Sequence, residues 1–261
     1  MPAKQPSFPY ATPLKPRKRA LIIGASSGMG AALSKKLARE GYDLALVARR
    51  EGLLSALCDE INQENNGRAR YYLHNVSDYS IVPDVLRRIV SDLGGLDLVV
   101  YAAGVNFAPQ FDEYNTEQDH QMLEINLFGA FVWLNPVAAL FQSAKSGQIV
   151  GLSSVAGERG RVGNPGYNAS KAGLTSYLES LRNRLTRHGV NVLTVKAGFV
   201  QTEMLKAAQR VMFPIPPEDA AQAIWKAVRA RKQVVYVPWF WGGIMFVIRN
   251  IPSIVFRRMS F

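Results

Sequence analysis

The sequence has little with which to bind a metal or to brace itself covalently. Cys58 is the only cysteine, so no intramolecular disulfide can form and no paired-cysteine zinc site exists. There are three histidines, His74, His120 and His188. None belongs to an HExxH helix and none has an evident chemical partner, so helix-end or surface positions are expected of all three. Acidic residues are scarce too, with 20 Asp plus Glu against 31 Lys plus Arg, a net charge of +11. That surplus favours anionic ligands, acidic carriers, nucleic acid or anionic membrane without choosing among them. The basic-aromatic motifs of nucleic-acid modules are missing, so nucleic acid is not an expected partner. A reduced, cytoplasmic setting fits the lone thiol.

The first nineteen positions, "MPAKQPSFPYATPLKPRKR", carry five prolines and five basic residues but no apolar core of the kind a secretory signal needs. Residues 1-17 read as a flexible basic arm. Lys15, Arg17, Lys18 and Arg19 could meet a phosphate or lipid surface, although a solvated lead into the first strand is the plainer reading. The whole chain is 48% hydrophobic and 20% charged, which is globular composition, and 261 residues suit one α/β domain with a single large core.

Short β-rich runs alternate with helix-patterned stretches. "RALII", "YDLALVA", "RARYYLH", "LDLVVYA", "GQIVGLS", "VNVLTVK" and "QVVYVP" give seven strands. Segments such as "MGAALSKKLAREG", "EGLLSALCDEINQEN" and "SDYSIVPDVLRRIVSDLG" repeat apolar residues every three or four positions and read as crossover helices. Such alternation implies an α/β fold: a Rossmann-type, doubly wound parallel sheet with helices on both faces, over residues 18-237, and a ligand crevice at the carboxyl ends of the strands.

Directly after the first strand comes "GASSGMG", placing Gly24, Ser26, Ser27, Gly28, Met29 and Gly30 at a strand-to-helix turn. Glycines there let backbone approach a pyrophosphate, and the N–H groups of a helix start favour its charge. The spacing is G-x-x-x-G-x-G and not the more familiar G-x-G-x-x-G. The second strand ends in Arg49 and Arg50, where an acidic residue would mark a site for an unphosphorylated dinucleotide. A guanidinium can hold a 2′-phosphate, so these residues point to NADP(H), with Arg49, nearer the strand end, preferred.

In "YNASK" a tyrosine precedes a lysine by one helical turn. A free phenol, with a pKa near 10, is a poor proton donor or base at neutral pH; a cation at i+4 would lower that value, making Tyr167 and Lys171 a tunable proton handle. Thirteen residues earlier, "GLSSVAG" puts Ser154 at the end of the fifth strand, with Ser153 facing the other way if the strand continues.

These features, with "YAAG" at 101 to 104 and "EINLFG" at 124 to 129, resemble the short-chain dehydrogenase/reductase family over residues 18 to 237. The resemblance implies a catalytic set of Asn126, Ser154, Tyr167 and Lys171. In it Ser154 polarises a carbonyl, Tyr167 delivers the proton, Lys171 lowers the tyrosine's pKa and holds the nicotinamide ribose, and Asn126 anchors a water. It also implies that Ala102, Ala103 and Gly104 line the adenosine side, that Asn75 and Val76 take the adenine position, and that Gly198 and Thr202 lie near the nicotinamide or pyrophosphate. Two departures stand out. "HNVSD" offers Asn75 where many members have Asp, and "KAGFVQT" has Ala197 where members usually have Pro, which would loosen the turn.

After Thr202, "EMLKAAQRVMFPIPPED" is expected to be a flap over the substrate, with Met204, Leu205, Val211, Met212 and Phe213 lining an apolar pocket. Residues 238-261, an apolar C-terminal extension, are too apolar for a solvated tail. Arg249 near the middle would cost roughly 2.5–3.5 kcal/mol in a spanning helix, so spanning is disfavoured. Three partners suit Trp239, Phe240 and Trp241 with Arg249, Arg257 and Arg258: an anionic membrane surface touched peripherally, a second subunit, or the domain's own substrate opening. "LVAR", "VSDY" and "SIVFRRM" are similar to 3-ketodihydrosphingosine reductases and related lipid-handling members. That implies a hydrophobic ketone, a 3-keto lipid or 3-ketoacyl thioester, and the family implies a homodimer or homotetramer. The competing expectation is a catalytically silent NADP(H)-binding sensor or scaffold, which a broken catalytic set would have signalled.

Overall fold

The computed structural model describes residues 18–65, 68–107, 109–207 and 211–259; the basic arm expected over residues 1-17 lies outside them. Seven strands form one sheet: β1 (Arg19–Ile23), β2 (Asp43–Ala48), β3 (Ala69–Leu73), β4 (Leu98–Tyr101), β5 (Gln148–Ser154), β6 (Asn191–Ala197) and β7 (Val234–Val237). Their order is β3-β2-β1-β4-β5-β6-β7 and every pairing is parallel. All seven match the runs read from sequence, because buried parallel strands must be nearly all apolar. The order reverses between β1 and β4, and the crevice opens at that switch point.

Alternation along the strands builds two cores. Ala20, Ile22, Leu44, Leu46 and Val100 face α1 (Gly28–Arg39), α2 (Glu51–Asn65) and α7 (Pro217–Arg229). Leu21, Ile23, Val47, Val99 and Tyr101 face α3 (Val82–Leu93), α5 (Gly129–Ala144) and α6 (Pro165–Leu185). Between α4 (Thr116–Leu123) and α5 the helix widens into a π-turn, Glu124–Phe128. The continuous run Thr116–Ala144 is the one described helix long and apolar enough to cross a membrane, but Trp133, Leu134, Val137 and Phe141 are buried under the sheet. Cys58, on α2, is buried and bonds to the Ala69 carbonyl.

The structure departs from sequence reading at two places near the sheet. Arg19, taken as part of a basic arm, is buried: its guanidinium pairs with Asp97 at 2.7 Å and also donates to Gly94 O. His74 is also buried, edge-on to Trp133, with neither ring nitrogen bonded among the described residues; burial lowers its pKa. His120 is exposed and His188 part-exposed at a helix end, as expected.

The extension is a folded part of the domain. α8 (Trp241–Asn250) and α9 (Ser253–Phe256) follow β7, and Trp241 and Met245 bury against Val155 and Phe199. Beneath them Glu158 accepts from Tyr236 Oη at 2.6 Å and from Lys196, with Arg249 at 3.9 Å. Arg159 donates to Ile248 O and lies 3.8 Å from the Phe256 ring centroid. Ten residues of α8 are half the length of a spanning helix.

Asp97→Asn should lower the unfolding free energy by about 3 kcal/mol, since it strands a buried guanidinium; urea unfolding measures it, and a loss below 0.5 kcal/mol would contradict the pairing.

Candidate active site

Two adjoining cavities open at the carboxyl ends of the strands. The first, about 340 Å³, is a crevice over the β1–α1 turn. Gly24 has φ +92, and a Cβ on it would lie 2.4 Å from Ala103 N, so only glycine lets the ends of β1 and β4 approach. At Gly30 a Cβ would collide with Gly24 O at 2.1 Å. The turn is thereby folded tightly, and the first-turn amides of α1, which have no intrahelical acceptors, are left at the crevice floor. Ser26, Ser27, Gly28 and Met29 line it with Arg49 and Arg50, followed by Asn75 and Val76, then Ala102, Ala103, Gly104 and Thr202. Every cofactor residue expected from sequence except Gly198, Tyr167 and Lys171 is in this wall, and those three line the second cavity. His74 lines the first as well, which sequence reading missed.

The two arginines differ in their engagement. Arg50 donates to Ser26 Oγ at 3.1 and 3.3 Å, to Ser27 Oγ, and to Glu203 Oε2 at 3.0 Å, whereas Arg49 is exposed. Arg50, two residues beyond the end of β2, is therefore the one folded over the glycine turn, while Arg49, preferred from the sequence, lines the crevice with its side chain exposed. The cradle fits a dinucleotide phosphate: glycines a Cβ would fill, helix-start amides, two hydroxyls and a guanidinium.

The second cavity, about 510 Å³, lies beside the first and shares Met29, Ala102, Gly104, Asn106, Thr202 and Met204 with it. Ser154, Tyr167 and Lys171 line it together. Ser154 ends β5; its Oγ accepts from Ala156 N at 3.1 Å and donates to Ala197 O at 3.2 Å. Ser153 points away, bonding to Lys171 O and Thr175 Oγ1, so it is a packing hydroxyl as expected. Tyr167 and Lys171 lie one turn apart on α6, with Lys171 Nζ 5.7 Å from the Tyr167 ring centroid. Asn164 caps that helix, accepting from Tyr167 N at 3.1 Å while its Nδ2 donates to Asn106 Oδ1 at 2.6 Å. The "NPGY" run carries this signal, a cap followed by Pro165 at the first helical position, and sequence reading passed over it.

Asn126 sits in the π-turn, fully buried. It clamps Val105 by accepting from its N at 2.8 Å and donating to its O at 3.0 Å, and it also donates to Ser170 Oγ. The wider turn is what aims this side chain inward.

Burial raises the Tyr167 pKa, opposed by the Ser154 hydroxyl and the Arg161 cation. Lys171 Nζ donates to Leu152 O at 3.0 Å, and burial pulls its own pKa down to about 8. Arg161, unremarked in the sequence, is thus the second cation of the site.

The flap and extension close the second cavity. Met204 Sδ is 4.0 Å from the Tyr167 hydroxyl, and Leu205 and Met212 line the wall. Val211 and Phe213 are exposed, and residues 208–210 lie outside the described set. Trp241, Ile244 and Ile248 also line the cavity, so α8 forms part of its wall; Trp239, Phe246, Val247 and Ile254 face outward. Gly198 donates to Val237 O at 2.8 Å and a Cβ on it would meet Trp241 Nε1 at 2.1 Å. The turn expected to be loose for want of proline is braced by the indole instead.

Comparison with known proteins agrees with this geometry. The family model described as short chain dehydrogenase matches residues 18–211. An uncharacterized oxidoreductase of Mycobacterium tuberculosis is 30% identical over 247 residues, 94% of this chain and 98% of that protein. A 3-oxoacyl-acyl-carrier-protein reductase of Vibrio cholerae is 31% identical over 190 residues, 73% and 76% of the two chains. Among solved structures, an alcohol dehydrogenase from the archaeon Thermococcus sibiricus complexed with 5-hydroxy-NADP superposes with TM-score 0.76 at 25% identity, covering 84% of this chain and 95% of that one.

Lys171 gives a pH test. Its folded pKa lies below the unfolded value near 10.4, so its buried charge costs stability below about pH 8 and that cost fades as pH rises to about 10.4. In the cofactor-free protein the Tm of Lys171→Met relative to the parent should fall over that window; a constant difference would show that Lys171 is not depressed.

Proposed function

The chain belongs to the short-chain dehydrogenase family, and from that premise we propose that it is an NADP(H)-dependent oxidoreductase that reduces a hydrophobic ketone, or oxidises the matching secondary alcohol. The observation that carries the reading is the place of Tyr167: its hydroxyl lies with Ser154 in an apolar cavity that adjoins the glycine-turn crevice.

When bound, NADP(H) supplies or accepts the hydride; the chain's residues do the rest. Ser154 donates a hydrogen bond to the carbonyl oxygen, and Tyr167 hands its proton to the same oxygen as negative charge develops there, so one C–H and one O–H bond form. Burial keeps the phenol protonated before reaction, which suits a general acid, a role typically contributing about 10²–10⁴-fold. Lys171 provides positive potential at the cavity floor. Asn126, through Val105, holds the 104–106 wall against both. We assign the 2′-phosphate to Arg50, which Ser26 and Ser27 steady. The NADP-type ligand of the Thermococcus neighbour supports the cofactor choice, and the Vibrio reductase supports a 3-oxoacyl-like substrate.

The apolar wall, including Val155, Phe199, Ile244 and Ile248, favours a 3-keto lipid or 3-ketoacyl body over a small polar ketone. A silent sensor is the weaker reading, since Asn126, Ser154, Tyr167 and Lys171 are all present. A homodimer or homotetramer in the cytoplasm goes with this reading; Phe128 and Phe131, at the outer face of the helices, stack towards Tyr177 with centroids 5.8 and 4.4 Å apart. Peripheral membrane contact would fall to the outward-facing Trp239 and Phe246.

Tyr167→Phe should lower ketone reduction at least about 100-fold while NADPH affinity changes less than threefold; retained turnover would remove the proton donor. Arg50→Ala should weaken NADPH binding by about tenfold and leave NADH binding unaltered; equal loss for the two cofactors in a fluorescence titration would remove the 2′-phosphate role.

A further inference from the structure

Among the described residues, the wall of the substrate cavity contains two cations, Arg161 and Lys171, and no Asp or Glu. Lys171 donates to Leu152 O. Arg161 is different. Its backbone carbonyl accepts from Asn168 Nδ2, but its guanidinium has no hydrogen bond or ion pair with any described residue, while the neighbouring charged residues Glu158 and Arg159 are both engaged. It is nevertheless only part-exposed. Burial lowers its pKa, and the one titratable group that acts on it is Tyr167. An arginine with no use in the cavity would extend into water, because a guanidinium withdrawn from solvent without an anion is costly.

Much of the rest of the wall is apolar: Phe111, Val155, Phe199, Leu205, Ile244 and Ile248 among others. Resting on the reductase reading above, and narrowing its ketoacyl body from a thioester to a free acid, we infer that the substrate is an amphipathic oxo acid, with an apolar body against these residues and a carboxylate bound to Arg161 within a few bonds of the ketone at Tyr167 and Ser154. Arg161 is then a specificity-determining residue. Planar guanidinium and planar carboxylate pair through two parallel N–H···O bonds, and the low-dielectric wall strengthens them. The same ketone as a neutral ester leaves the cation uncompensated and is the poorer substrate.

The test compares 4-oxodecanoate with its methyl ester, with NADPH, in the full-length protein. The parent enzyme should favour the acid by roughly 30-fold in kcat/KM, chiefly through KM, the size expected of a charge-assisted pair. Arg161→Met should bring the acid-to-ester ratio close to one, and Arg161→Lys should restore part of it. A parent ratio near one, or a ratio that Arg161→Met leaves in place, overturns the proposal. So does an equal loss on both substrates with a shifted pH profile, which would assign Arg161 to the proton affinity of Tyr167 alone. Should neither ketone be reduced, the reductase reading fails separately, and binding decides the anion site. Decanoate and methyl decanoate are then titrated against the NADPH-saturated protein by intrinsic tryptophan emission, Trp241 being in the wall. A preference for decanoate that Arg161→Met abolishes sustains the site, and equal affinities overturn it.

Discussion

A lysine held in the interior with no carboxylate beside it constrains everything built around it. Lys171 is 5% exposed, and among the described residues its ammonium has one hydrogen-bond acceptor, the Leu152 carbonyl. A folded chain normally avoids such a group or neutralises it with an acid. Here the cation is retained because α6 is fixed from several directions: Asn164 caps it, Ser153 ties Lys171 O to β5, and Asn126 reaches Ser170 from the π-turn. The parallel sheet supplies the rigidity, since its carboxyl ends deliver Gly24, Tyr101, Ser154 and Ala197 to one edge.

That edge is divided by chemistry. On one side are backbone amides, small hydroxyls and Arg50; on the other, apolar side chains and Arg161. A guanidinium stands on each side, which gives the excess of Lys and Arg over Asp and Glu a local place in the fold. Some of the surplus is structural, as at Arg19 and Arg182; the latter holds Val192 O, Thr194 and Gln233 O. Some lies in the cavities. Tyr167 stands between these charges and the apolar wall, where burial raises its pKa and the Ser154 hydroxyl and Arg161 oppose the rise.

Much of this was legible in the chain. The strands show because buried parallel strands are apolar throughout, and the glycine turn, Ser154, Tyr167 and Lys171 show because spacing along a strand or helix fixes which face they share. Other features depend on partners far away in sequence. Arg19 looks solvated until Asp97, brought alongside by the β1–β4 pairing, is seen to neutralise it. Arg161 has no periodicity to mark it, lying in an irregular stretch before α6. The choice between Arg49 and Arg50 turned on a side-chain direction at a strand end, where alternation no longer holds. The extension's partner was undecidable from composition, because a membrane, a subunit and a cavity all accept the same aromatic residues.

The contact between Trp241 and Gly198 carries a consequence for how this chain can diverge. The indole occupies the volume that any side chain at position 198 would need, so the two sites are tied across the fold. A descendant could gain bulk at 198 only after giving up the ring at 241, and shortening the C-terminus would leave a hollow under the turn that no neighbour fills. Among relatives, the two positions are therefore expected to vary in concert, as one inherited unit.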